Sequence, residues 1–177
     1  MTPLMRKIHK WVGLVIAIQF VLWVASGVVM SLLDAKKVAG REFRIKPAAV
    51  ESWPANALPV DTVLAKSTAQ VMNISSGWLL GQPVYRLVND KATWMVDAVQ
   101  GTPVALDAAL ATRIAQASYS GSGKPTGARL LKYSPETRKH KEPAWAVDFG
   151  DADDTTVYVS AKSGNVLEHR NSTWRLF

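Results

Sequence analysis

The chain contains no cysteine. That excludes disulfides, thiolate zinc sites, cysteine-held iron–sulfur clusters and cysteine nucleophiles. Histidine is scarce too: His9, His140 and His169 are the only three in 177 residues. Acidic residues number 14 against 21 Lys and Arg, a formal net charge of +7. Such a surplus attracts anionic headgroups or nucleic acid. Here the distal basic residues are scattered, and no recognition-helix or RNP-type pattern occurs, so nucleic acid is not an expected partner.

Long apolar runs are absent, with one exception. Trp11 to Leu33 carries no charge, and only Gln19, Ser26 and Ser31 interrupt it with polarity. At about 1.5 Å per residue, a helix of that length crosses a bilayer core of about 30 Å. A secretory apolar region is shorter, about 7–15 residues, and its cleavage site opens onto polar sequence. Here Ala25-Ser26-Gly27 is followed by Val28, Val29 and Met30. The expectation is an uncleaved, single-pass anchor in the lipid bilayer. Arg6, Lys7 and Lys10 lie before the run, and Lys36, Lys37, Arg41, Arg44 and Lys46 after it, so charge alone does not orient the helix. The short tail and the large polar remainder favour a cytoplasmic N-terminus with the bulk outside. Gly13 and Ala17, one helical turn apart, offer a slim face, and Gln19 favours an interhelical hydrogen bond. A second membrane helix, subunit or copy of the chain (a homodimer) is the expected partner.

Residues 35–58 read as a linker stiffened by Pro47 and Pro54, with Ile45 and Trp53 placed to tack it down. Helical spacing begins at Pro59, with Val60, Val63, Leu64, Ser67 and Val71 on one face. Strands are expected at Trp78–Leu80, Pro83–Val88 and Thr93–Ala98, with Gln100-Gly101 as a turn. The order then repeats. Leu106, Leu110 and Ala117 each stand 46 residues after Val60, Leu64 and Val71. Arg129–Tyr133, Ala144–Phe149, Thr155–Ala161 and Val166–His169 are the later strands, and Gly164 matches Gly101. Ser134–Glu142 reads as a charged, solvated loop. The fold class is therefore α+β: an N-terminal transmembrane helix, then two repeats of a helix with a small antiparallel sheet. The parts are 1–34, the linker 35–58, and repeats 59–104 and 105–177, with the two repeats sharing or abutting their cores.

Arg6-Lys7-Ile8-His9-Lys10-Trp11-Val12-Gly13, with Gln19, Trp23 and Ser26-Gly27 behind it, resembles the lead-in and body of a PepSY-associated transmembrane helix. Val84-Tyr85-Arg86-Leu87-Val88, Trp94-Met95-Val96-Asp97 and Gly101-Thr102-Pro103-Val104 resemble a PepSY repeat. So do Ala144-Trp145-Ala146-Val147-Asp148, Val157-Tyr158-Val159 and Ser163-Gly164-Asn165-Val166-Leu167. The resemblance implies a bacterial inner-membrane protein with its PepSY domains in the periplasm. It implies an accessory or binding subunit of a membrane redox or iron-acquisition system. The alternatives are a haem-binding electron-transfer subunit of a membrane reductase and a modulator of a periplasmic peptidase. On the haem reading His9 would be an axial ligand. Similar proteins continue past a Trp-Arg-Leu-Phe-like stretch into a further membrane helix bearing a histidine. Trp174-Arg175-Leu176-Phe177 closes this sequence, so that second ligand would come from a longer chain or a partner subunit.

Other residues read as structure. His140 lies among Arg138, Lys139 and Lys141, cations that oppose metal binding. His169, between Glu168 and Arg170, reads as an exposed strand-end histidine. Gly121-Ser122-Gly123-Lys124-Pro125 lacks the glycine spacing of a phosphate loop and reads as a turn. Asp151, Asp153 and Asp154 lack the later glutamate of a calcium loop and read as a hairpin turn. Asp97 and Asp148 read as matching strand-end positions. No nucleophile, base or paired acid stands out, and catalysis of the chain's own is not expected.

Overall fold

The computed structural model describes residues 2–46 and 52–177. Pro47, expected to stiffen the linker, lies outside them. The first element is α1, Pro3–Leu32. It begins before the apolar run and takes the basic lead-in into the same helix, because Pro3 at the first helical position has no N–H to leave unpaired. Its most apolar 18-residue stretch has a mean hydropathy of 2.3, and no residue of the helix is buried. It is long and apolar enough to cross a membrane, a test that a signal sequence also passes.

The rest is α+β, with two four-stranded antiparallel sheets, each an unbroken meander. The first unit is α3 (Val60–Lys66) with β1 (Asn73–Leu79), β2 (Gln82–Val88), β3 (Thr93–Asp97) and β4 (Pro103–Val104). The second is α4 (Ala108–Ala117) with β5 (Pro125–Leu131), β6 (Ala144–Phe149), β7 (Thr156–Ser160) and β8 (Val166–Arg170). A short α2, Ala35–Val38, follows α1, and α5, Ser172–Leu176, follows β8.

Strand alternation decides which face each side chain takes. In the first sheet Tyr85, Leu87 and Val96 form a cluster with Val63 of α3, against which Trp94 packs. In the second, Val147, Phe149, Val157 and Val159 meet Ile114 and Ala115 of α4. The helix thus covers the same face in both units. The opposite face of the first sheet, Leu79, Val84 and Met95, enters the α4 cluster, so one core joins the two units as expected. The opposite face of the second sheet faces outward and carries only a small cluster of Ala144, Ala146, Tyr158 and Leu167.

Two turns show the repetition at atomic detail. The Asp97 carboxylate accepts from Val99 N at 2.8 Å and Gln100 N at 2.7 Å, and Gly101 N donates to the Asp97 carbonyl at 2.9 Å. The Ser160 hydroxyl accepts from Lys162 N at 3.2 Å and Ser163 N at 3.0 Å, and Gly164 N donates to the Ser160 carbonyl at 3.1 Å. Both glycines are left-handed, with φ of 71° and 70°. That backbone is strained for any residue with a Cβ. The counterpart of Asp97 is therefore Ser160. This corrects the expected match of Asp97 with Asp148, which lies one strand earlier in its unit.

The helices are shorter than their spacing predicts. α3 stops at Lys66, where the Ser67 hydroxyl turns to the Ala69 carbonyl at 3.0 Å and competes with the helix backbone. Asp107 is not inside α4 but caps it, accepting from Leu110 N at 2.8 Å. β1 begins earlier than its apolar tail indicates, because Ser75, Ser76 and Gly77 pair as an edge strand without an apolar pattern. The described parts of 35–58 are packed rather than free. Arg44 bridges to Tyr119, Phe43 meets the Tyr119 ring edge-on at 5.7 Å, and Ile45 N donates to the Ser118 carbonyl at 2.9 Å. Trp53 lies 5.8 Å from Trp78 and 5.4 Å from Tyr85, the tacking expected of it.

Candidate functional site

The outward face of the second sheet holds the richest polar constellation. β1 and β2 are joined by Leu80-Gly81 alone, whereas residues 132–143 join β5 to β6. This longer connection folds back through a 3-10 turn, Pro135–Thr137, that buries Thr137 and places Glu136 over the sheet. The expected solvated loop is therefore partly a lid. α5 closes the other side, capped by Asn171, whose side chain accepts from Trp174 N at 2.8 Å.

Between them lies a cleft of about 570 Å³ whose lining includes Arg129, Glu136, Asp148, Thr156, Tyr158 and Arg175. Asp148 on β6 accepts from Arg129 Nη2 at 2.8 Å and from the Thr156 hydroxyl at 2.9 Å. Thr156 is directly opposite Asp148 in the ladder and accepts in turn from Arg175 Nη2 at 2.9 Å. Arg175 grips both oxygens of Glu136, at 2.9 and 3.2 Å, and Tyr158 donates to Glu136 at 3.0 Å. Burial and the Glu136 carboxylate push the Tyr158 hydroxyl above its ordinary value. Burial pulls the Arg175 guanidinium down, but Glu136 outweighs it and the net shift is upward. Two cations and two carboxylates thus alternate along one continuous network. The arrangement neutralises itself and offers donors and acceptors of both signs to a polar partner. It holds no activated nucleophile, because each acid is tied to an arginine.

The first unit has a different hollow. Between α3 and its sheet lies a cleft of about 400 Å³ whose lining includes Val63, Leu87, Trp94 and Val96, with Lys66 at the edge. It is largely apolar, and its charge lies at the rim.

The three histidines are not brought together. His9 is exposed on α1. His140 lies 3.7 Å from Glu168 at the outer sheet. His169 is a correction: it is 0% exposed, not a surface residue. A bulge at Leu167 shifts the β7–β8 register between Val166 and Glu168. Because side chains alternate with period two, one extra residue turns His169 inward. Its Nε2 lies 3.1 Å from the Ser118 hydroxyl, and its Nδ1 has no partner. Burial, then the nearby Arg44 and Arg170, push the imidazole down to about 4. The Ser118 hydroxyl also donates to the Ala115 carbonyl at 2.9 Å, at the end of α4, so the pair serves packing. Haem held by two imidazoles is not completed by the described residues, since α1 supplies His9 alone.

The turns behave as expected. Gly121–Gly123 wraps the Tyr119 ring, with Gly123 N donating to the Tyr119 hydroxyl at 3.2 Å. Asp151 accepts from Tyr119 and from Thr155 N, and Asp153 pairs with Lys37 at 3.1 Å. Among the described residues no group of three or more His, Asp or Glu could hold a metal ion. No family model, curated protein or solved structure matches the chain.

The network in the cleft is not legible from the sequence. Arg129 and Asp148 are nineteen positions apart, and Glu136 and Arg175 meet only because the longer connection and α5 converge. One signal was present: the greater spacing between the second pair of strands marked an insertion, and insertions in a repeat often carry its function.

Proposed function

We propose that this chain is a membrane-anchored accessory or binding subunit. α1 is its uncleaved single span, and its two α+β units are PepSY-like repeats on the periplasmic side of a bacterial inner membrane. One observation carries the reading: α1 is a thirty-residue helix, uncharged from Trp11 onward, with none of its residues buried. An apolar face of that size needs lipid or another helix to cover it. The folded part supports a binding role, because Arg129 with Asp148 and Arg175 with Glu136 are paired in its polar cleft. The two matching glycine turns support the repeat. The Gly13 and Ala17 face of α1 and the amide of Gln19 suit a neighbouring membrane helix of a redox or iron-acquisition system.

Expression of the whole chain in a bacterium, with fractionation and protease access from each side, tests the anchor. The chain is expected in the inner membrane, with the units cleaved only from the periplasmic side. Release as a shortened soluble protein overturns the anchor. Co-purification of a second membrane subunit is expected, and its loss on Gly13→Leu would place the contact on that face. A Soret band lost on His9→Ala would instead favour the electron-transfer reading.

A further inference from the structure

The surface where α1 leaves the folded part shares α5 with the polar cleft, through Arg175, but carries a different set of exposed side chains. Asp34 caps α2, accepting from Lys36 N at 2.7 Å and Lys37 N at 3.3 Å. α5 is fixed beside α2. Asn171 Nδ2 donates to the Lys37 carbonyl at 3.1 Å, and Ser172 N donates at 2.7 Å to the carbonyl of Asp153, the residue that pairs with Lys37. At the tip of this pair Leu176 and Phe177 are 79% and 64% exposed. Arg170 and Arg175 both hold Glu136, so the 3-10 turn and the Arg138 and Lys139 that follow it are attached to the same end. Lys36, Arg41, Arg138 and Lys139 are exposed, and none has an ion-pair partner among the described residues.

We propose that this α2–α5 surface is a second membrane contact. It rests on an anionic bilayer face with Leu176 and Phe177 among the outer acyl segments, while Lys36, Arg41, Arg138 and Lys139 meet headgroup phosphates. The inference depends on α1 being an anchor, and the tether is what selects lipid as the occupant. Only Leu33 and Asp34 separate α1 from α2. At no more than about 3.6 Å per residue, they hold α2 within the headgroup layer wherever the apolar run ends at the hydrocarbon boundary. α5 is bonded to α2 and is carried to the same depth. Exposed apolar side chains rimmed by unpaired cations are the composition that binds such an interface.

The absence of cysteine makes single-cysteine labelling direct. The full chain would be reconstituted in phosphatidylcholine vesicles with and without phosphatidylglycerol. A polarity-sensitive dye would be placed in turn on Leu22→Cys in α1, Leu176→Cys, Phe177→Cys and Ser75→Cys on β1. The dyes at Leu176 and Phe177 are expected to emit blue-shifted light and to be quenched by spin-labelled lipid, while the dye at Ser75 stays water-like. Quenching at Phe177 is expected to fall when phosphatidylglycerol is omitted or when K36E and R41E are combined. A quenched dye at Leu22 with water-like dyes at Leu176 and Phe177 overturns this contact and leaves the anchor standing. A water-like dye at Leu22 overturns both. Equal quenching at Ser75 and Phe177, or no response to lipid charge, also overturns the proposal.

Discussion

The two α+β units share a meander, a helix on the same face and a glycine turn at the same place, yet their opposite faces have diverged. In the first unit that face is apolar and sealed: Val84 and Met95 pack into the core of the second unit. Arg86, directly opposite Met95 in the ladder, donates to the Ser163 carbonyl at 2.9 Å, in the turn of the other unit. In the second unit the matching face carries Asp148 and Tyr158, and no sheet covers it. The longer connection and α5 cover it instead and leave a polar cleft. One repeat has become the support, and the other has the free face. A repeat that cannot bury both faces alone must lend one to its neighbour.

The largest break in that comparison is expected at Met95, which is 2% exposed and faces the other unit. Met95→Ala removes packing from the shared core and should cost about 2–5 kcal/mol in chemical unfolding followed by tryptophan fluorescence. A loss below about 1 kcal/mol would mean the two units are not joined through this face.

Next in size is the acid response, which belongs to the second unit alone. The buried His169 titrates at about 4 in the folded chain, against an ordinary value of 6.5. The unfolded chain therefore takes up the proton first. Stability is full above about pH 6.5, falls as pH drops through the window to about 4, and levels off below it. The histidine accounts for a loss of about 3 kcal/mol across that window. Unfolding measured at several pH values should show this slope in the native chain and not in His169→Gln. Equal slopes in both would assign the acid response elsewhere.

The two turn glycines sharpen the comparison further. Gly164→Ala places a Cβ 2.8 Å from Leu79 Cδ1 of the neighbouring unit, with Ile114 behind it. Gly101→Ala meets Leu58 Cδ1 at 2.9 Å and the mobile end of Lys66. Both variants bear the left-handed strain, about 1–2 kcal/mol. The Gly164 variant should melt lower, since its contact is wedged between units. A lower melting temperature for the Gly101 variant would reverse the assignment of support and free face.

The smallest effect is expected in the cleft itself. Asp148→Asn weakens the bond to Arg129, whose side chain is largely exposed, so stability should change by no more than about 1 kcal/mol. Binding of a partner to the cleft, read by co-purification, should fall with the same substitution. A large stability loss instead would make the network structural.

Much of this fold was legible because it rests on local pattern. The alternation of Trp145, Val147 and Phe149 set their shared face, the apolar run marked α1, and Gly101 and Gly164 marked equivalent turns. Legibility ended where a feature depended on distant partners. His169 was misplaced because a bulge is decided by how β7 and β8 settle against each other. Glu136 lay in a stretch read as solvated, because its charge carries no sign of the Arg175 and Tyr158 that tie it down. Ile45 and Trp53 are legible as the points that tack down the connector after α1, but nothing local to them names Ser118, Trp78 and Tyr85 as their partners.

The sequence by itself determined the one apolar helix, the absence of thiol chemistry and the twice-repeated order of helix and strands, all of which follow from composition and period. Only the tertiary structure decided which face of each sheet is sealed, that the fourth strand of the second unit turns its histidine inward, and that four charged side chains from separate elements close into one network. Period fixes a face within an element. What covers that face is set by packing among elements far apart in the chain, where buried area and hydrogen-bond partners are settled together.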